Sequence, residues 1–243
     1  MTNRRTIVIG DCHGNRKTAL EILVSLRLER GRDTVIFLGD VIDRGCDSKG
    51  VLDLIMSMQR EGLAMMVRGN HEQMLLDAAN SGIEEDYLEF INNGGEATLL
   101  SFGVPHPSQI PSVYLNFISN TPLFWENATN ICVHAGLPCK LVEPISAADR
   151  WDMLWTRTTW TDPAFLNGKR LVTGHQIKSL NEIRGSLATD HVFIDNGCYL
   201  GAGCKGGTKG NLVALVLETN ELYVQPNIDG VPLQELPSKG ASK

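Results

Sequence analysis

Short unbroken apolar runs alternate with longer stretches of helical periodicity through the first third of the chain. TIVIG (6–10) is apolar, β-branched and closed by glycine, which predicts a buried strand. Over 16–29, Leu20, Leu23, Val24 and Leu28 fall on one face of a predicted helix. TVIFLG (34–39) predicts a second strand. Val51, Leu54, Ile55 and Met58 mark a second amphipathic helix, and LAMMVRG (63–69) a third strand. The order βαβαβ implies a parallel sheet with right-handed crossovers.

From 81 to 120 the pattern breaks into short helices and loops, with NNGG (92–95) and PHP (105–107) read as interruptions. Strand-like runs return in ATNICVHAG, KRLVTGH, HVFIDNG, NLVALVLET and ELYVQPN. The last two predict a hairpin around Thr219–Asn220. The second half is therefore expected to be more antiparallel than the first.

Composition narrows the class. With 243 residues, 42% hydrophobic and 21% charged, the chain suits a single α/β domain over 1–235, with LPSKGASK (236–243) as a flexible tail. The net charge of −6 argues against a long nucleic-acid footprint but not against a small phosphorylated substrate. The six cysteines (Cys12, Cys46, Cys132, Cys139, Cys198 and Cys204) include no CxxC pair, so free thiols in a reduced, cytoplasmic protein are expected. MTNRRTIVIG lacks the apolar core of a signal peptide. No run reaches the roughly 18 apolar residues of a membrane span.

The candidate chemistry collects where apolar runs end. GDCHG supplies Asp11 and His13; GDVIDRG supplies Asp40, Asp43 and Arg44; RGNHE supplies Asn70 and His71; HAG and TGH supply His134 and His175. Ligands of open α/β sheets sit beyond the carboxyl ends of the strands. Each motif alone reads equally well as a helix cap or a polar loop, but their shared position at strand ends argues for one site. Carboxylate, imidazole and amide-oxygen donors suit divalent manganese, iron or zinc. A carboxylate can bridge two such ions, and a pair of ions promotes phosphoester hydrolysis by activating water and stabilising phosphoryl charge. Arg44 and Arg157 suit bidentate binding of phosphate oxygens, and a histidine not spent on metal suits proton transfer.

Taken in order, GDCHG, GDVIDRG, RGNHE, HAG and GH closely resemble the phosphoprotein phosphatase family of metallophosphoesterases, the bacterial and phage-type serine/threonine phosphatases in particular. NNGGEATL, LWTR and FIDNGCYLG extend the resemblance over 7–227. It implies a four-layer αββα, calcineurin-like sandwich of two mixed sheets and a centre for two divalent ions, usually manganese, with iron or zinc as alternatives. Carried over, Asp11, His13 and Asp40 would hold the first ion, with Asp40 bridging to a second held by Asn70, His134 and His175. His71 would be the general acid, oriented by Asp43, and Arg44 and Arg157 would bind the substrate phosphate. The implied reaction is direct attack of a metal-activated water on a phosphomonoester, without a phosphoenzyme. The expected substrate is a phosphorylated protein or a small phosphoester. The alternative is a dinucleoside polyphosphate such as diadenosine tetraphosphate, although the family's symmetrical tetraphosphatases usually lack the acid at the position of Asp43. A non-catalytic metal-binding role is a third reading.

Some residues have no assigned role. Arg68 and Glu72 are expected to support the site rather than react. Cys12 is expected to point away from Asp11 and His13. Cys46, beside the DRG turn, is expected to be a free thiol. LGAGCKGGTKG (200–210) lacks GxxxxGK[ST], so it is read as a solvated turn, with Lys205 and Lys209 as candidate substrate contacts.

Overall fold

A computed structural model describes residues 4–138, 146–157 and 166–230. The first sheet contains β1 (Arg5–Ile9), β2 (Asp33–Phe37), β3 (Ala64–Met66), β8 (Asn211–Val216) and β9 (Glu221–Pro226), in the order β3-β2-β1-β8-β9. β1, β2 and β3 are parallel, joined through α1 (Arg16–Leu26) and α2 (Ser48–Arg60); β8 and β9 run antiparallel. The second sheet is β4 (Phe124–Glu126), β5 (Asn130–Val133), β6 (Arg170–Thr173) and β7 (His191–Phe193), antiparallel only between β4 and β5. Both sheets are mixed. The predicted hairpin forms, with Val216 opposite Glu221 and Asn220 at φ +59°.

Strand alternation builds the layers, because successive side chains leave opposite faces of a strand. Ile7, Ile9, Val35, Phe37 and Met66 pack against helices in one cluster, while Val8, Ile36, Val213 and Leu215 pack in another with Cys132, Val172 and Val192 of the second sheet. Ile131, Val133 and Leu171 take the far face of that sheet, against Met153 of α7 (Ala147–Trp155). The expected four-layer sandwich follows. Among the described residues, no helix is long and apolar enough to cross a membrane. The tail 236–243 lies outside the described residues.

One local reading changes and another holds. In α1 the buried face is Thr18, Ala19, Ile22, Leu23 and Leu26, whereas Val24 is 68% exposed. The helix stops at Leu26 because Arg27 turns left-handed, which shortens the expected face. NNGG interrupts the helical run as expected: Gly94, at φ +101°, kinks the chain within Ile91–Gly95, between α4 (Glu84–Phe90) and α5 (Glu96–Phe102).

At the opposite end from the site, Arg5 Nε donates to Asp33 Oδ1 at 2.9 Å, and Asp33 is 3% exposed. The Arg5 guanidinium holds the Asp33 carboxyl below its ordinary value. A carboxyl pKa depressed by folding stabilises the native state above the unfolded value, and that contribution disappears as pH falls through the folded one. Arg5→Met is therefore expected to cost about 2 kcal/mol at neutral pH. Urea titrations of both proteins should show the difference closing once the pH lies below 3.8.

Candidate active site

Every motif that follows an apolar run lands at one edge of the two sheets. β1 delivers Asp11 and His13, and β2 delivers Asp40, Asp43 and Arg44. β3 leads into Gly69, the N-cap of α3 (Asn70–Asn80), so Asn70 and His71 occupy its first turn. β5 and β6 deliver His134 and His175. The turns are tight enough to force non-glycine residues left-handed. Among the nine described residues of this kind, five belong to the site: His13, Asp40, Asp43, Arg44 and His175. Such conformations cost about 1–3 kcal/mol each and cluster at functional sites.

Two groups of donor atoms meet at Asp40. His13, Asp40 and His71 form one trio and Asp40, His134 and His175 another, each with atoms within 4.8 Å of one another. Asp40 Oδ2 lies 3.7 Å from His13 Nε2, and Oδ1 lies 3.4 Å from His134 Nε2. The carboxylate thus turns one oxygen to each side. Asn70 Oδ1 sits 2.9 Å from His134 Nε2 and 3.2 Å from His175 Nδ1. Asp11 joins neither trio at that distance. It lines the same cavity, with Oδ2 bonded to the His175 backbone and Oδ1 buried without a partner.

The tautomers suit cation binding. His13 Nδ1 lies 2.9 Å from the Ile42 carbonyl and His134 Nδ1 2.8 Å from that of Leu38. A carbonyl only accepts, so each Nδ1 carries the proton and each Nε2 turns its lone pair inward, the arrangement of metal-ligating histidine. Burial, the first cause in each case, pushes His134 and His175 down to about 3 and His13 well below the usual imidazole range. It pushes Asp11 and Asp195 up, each also raised by Asp40. Neutral imidazoles around crowded buried carboxylates, one with an orphaned oxygen, make a donor set that fits divalent cations. Chelation of divalent ions is accordingly expected to lower the melting temperature. Each ion at about 100 times its Kd contributes about 2.7 kcal/mol, a loss readable by calorimetry.

His71 and Arg44 stand beside this centre. His71 Nδ1 lies 2.7 Å from Asp43 Oδ2. Arg44 donates from Nη1 to His13 Nε2 at 2.8 Å and from Nη2 to His71 Nε2 at 2.9 Å. The Arg44 guanidinium packs on the Tyr199 ring, 4.2 Å from its centroid. Burial, reinforced by Arg44, lowers His71 to about 4 against the opposing pull of Asp40. Arg157 is exposed and lines the cavity. The cavity measures about 330 Å³, more than a phosphoryl group alone requires.

Several contributors carry no motif of their own. Asp195 and Tyr199 line the cavity from FIDNGCYL, and Thr98 and Ser48 bond to Asp43. Glu72 is fully buried and accepts the backbone N–H groups of Asp40, Val41 and Gly69 at 2.8–2.9 Å, while Arg68 holds the Ser119 and Thr121 carbonyls. Both are supports, as expected. Cys12 is buried in the helix-facing core and Cys46 is exposed and free. Lys205 and Lys209 do not line the cavity; Lys209 Nζ reaches the Ile177 carbonyl at 3.5 Å.

Comparison with known proteins agrees with this geometry. The family model for calcineurin-like phosphoesterases matches residues 4–190. The chain is 32% identical over 158 residues to serine/threonine-protein phosphatase 1 of Salmonella typhimurium, covering 63% of this chain and 69% of that one. It is 29% identical over 147 residues to the asymmetrical bis(5'-nucleosyl)-tetraphosphatase PrpE of Oceanobacillus iheyensis, covering 56% of this chain and 57% of that relative. A Saccharomyces cerevisiae protein serine/threonine phosphatase with similarity to human phosphatase PP5 shares the fold at a TM-score of 0.61 and 14% identity, over 93% of this chain and 81% of that one. The chain belongs to the calcineurin-like phosphoesterase family.

Proposed function

We propose that the protein is a metal-dependent phosphatase that removes phosphate from serine and threonine side chains of proteins. The observation that carries this reading is the 2.7 Å bond between His71 Nδ1 and Asp43 Oδ2. A serine or threonine alkoxide is a strongly basic leaving group and needs a proton as it departs. The leaving polyphosphate of a dinucleoside tetraphosphate is weakly basic and needs none. A histidine held by a buried carboxylate therefore suits the first substrate better.

Two divalent ions, manganese in the first instance, would be held by Asp11, His13, Asp40, Asn70, His134 and His175, supplying Lewis acidity toward phosphoryl oxygens and a water made nucleophilic at neutral pH. Arg44 and Arg157 bind the substrate's phosphate oxygens. The positive N-terminus of α3, which carries Asn70 and His71, faces the same charge. A phosphate dianion draws Arg44 away from His71 Nε2 and adds negative charge beside it, and both changes raise the proton affinity of the ring. His71 Nε2 takes up a proton from solvent; water then adds its oxygen to phosphorus, one of its protons staying on the product hydrogen phosphate and the other returning to solvent, and the bond to the serine oxygen breaks with its electron pair. That oxygen takes the proton from His71 Nε2, while Asp43 balances the imidazolium and fixes its plane. No group of the chain becomes phosphorylated.

The second reading, dinucleoside polyphosphate hydrolysis, draws on the similarity to PrpE and on the roomy cavity. Phosphate release by metal-stripped protein with manganese restored separates the two. Faster turnover of a phosphoserine or phosphothreonine peptide than of diadenosine tetraphosphate is expected; the opposite ranking would replace the first reading by the second.

A further inference from the structure

We infer that Thr98 is a positioning residue for proton donation, its hydroxyl fixing the Asp43 carboxylate so that the other oxygen meets His71. The inference rests on the reading of His71 as proton donor.

Hydrogen-bond inventory gives the direction of each proton. Thr98 Oγ1 lies 2.5 Å from Asp43 Oδ1 and 2.9 Å from Ser48 Oγ. The Asp43 backbone N–H points at both hydroxyl oxygens, each at 3.0 Å. Thr98, Ser48 and Asp43 are all fully buried, so solvent does not substitute for any of them. In the state that balances the His71 imidazolium Asp43 is a carboxylate, which only accepts, so Thr98 spends its one proton on Oδ1. Ser48 must then donate to Thr98. The chain runs from Ser48 to Thr98 to Asp43 Oδ1, while Oδ2 accepts from His71 Nδ1. His71 Nε2 is left as the nitrogen that gains and gives the transferable proton. Arg44 confirms this independently, because a guanidinium only donates and it donates to that Nε2.

The route by which Thr98 arrives points the same way. The chain kinks at Gly94, immediately before α5. It brings the Gly94 carbonyl to the Arg44 backbone N–H at 3.0 Å. Gly94 sits at φ +101°, and a Cβ there would strike the Arg44 side chain. A few residues later the same segment presents Thr98 to Asp43. Asp43 and Arg44 are consecutive left-handed residues, at φ +68° and +65°. Such a pair persists only when its surroundings hold it. One segment therefore grips both neighbours, the one that orients the acid and the one that faces phosphate.

The test compares Thr98→Val, Thr98→Ser and His71→Gln, loaded with manganese to equal content, on a phosphoserine peptide and on p-nitrophenyl phosphate. The first leaving group needs a proton and the second does not. Thr98→Val is expected to lose about 30-fold in kcat on the peptide and less than about 3-fold on the aryl ester, with Thr98→Ser close to wild type on both. His71→Gln should show the same split, enlarged. Equal losses of Thr98→Val on both substrates, or none, beside a retained split in His71→Gln, would overturn the role of Thr98 and leave the acid in place. No split in His71→Gln would remove the proton-donor reading and the Thr98 role with it. Should Thr98→Val fail to show a native melting transition, Ser48→Ala decides: a smaller split in the same direction supports the chain of donors, and no split overturns it.

Discussion

Asp40→Asn is expected to reduce turnover by about 10³-fold and to leave at most one divalent ion bound per chain. The carboxylate stands between two donor groups, with Oδ2 3.7 Å from His13 Nε2 and Oδ1 3.4 Å from His134 Nε2. An amide keeps the shape but turns an N–H₂ toward one of the groups, where it cannot serve as a donor to a cation. It also removes the negative charge that two neighbouring cations would share. The loss should therefore appear in kcat and in metal content measured by atomic emission, with the melting temperature of the metal-free protein little changed. Two ions retained, with full activity, would mean that Asp40 bridges nothing.

Glu72→Gln is expected to cost about 3 kcal/mol of stability and to disable the site. Glu72 is fully buried, and its two oxygens accept three backbone N–H groups. Those donors belong to Asp40, Val41 and Gly69, so Glu72 ties the end of β2 to the start of α3. In the amide one acceptor becomes a donor that faces N–H groups. No side chain at residue 69 relieves the crowding, since a Cβ there would meet Asp40 and the Glu72 carboxylate. Denaturant titration measures the stability term, and kcat reports the displaced Asp40. A change below about 1 kcal/mol would show that burial of the charge cancels most of what its bonds contribute.

The sequence made the site's principal groups readable because each directly follows a strand. An apolar run ending in Gly-Asp or Gly-Asn-His places its polar residues at a sheet edge whatever the tertiary details, and the alternation within each strand already contains the two-sheet layering. Groups that act across the chain were less legible. Thr98 reaches Asp43 over 55 residues, from a segment whose pattern suggested only short helices and breaks. Asp195 lies inside HVFIDNG, read as a strand-like run and for its likeness but not as a source of site chemistry, and the fold brings it into the cavity with Asp11. Glu72 was readable as a support, but not as the acceptor for Val41 or Asp40, because its partners lie across the strand–helix junction. The left-handed turns at His13, Asp40 and His175 fall on residue types that tolerate positive φ better than most, but that preference is too weak to announce them from sequence. In α1 periodicity found the helix but shifted its buried face, because several apolar residues compete for that face and packing against β8 and β9 selects among them.

Anomalous diffraction at the manganese edge, from crystals soaked in manganese, tests the central claim most directly. The account expects two peaks on opposite sides of the Asp40 carboxylate, one toward Asp11 and His13 and the other toward Asn70, His134 and His175. A single peak, or peaks away from Asp40, would contradict a two-ion phosphoesterase centre at these strand ends.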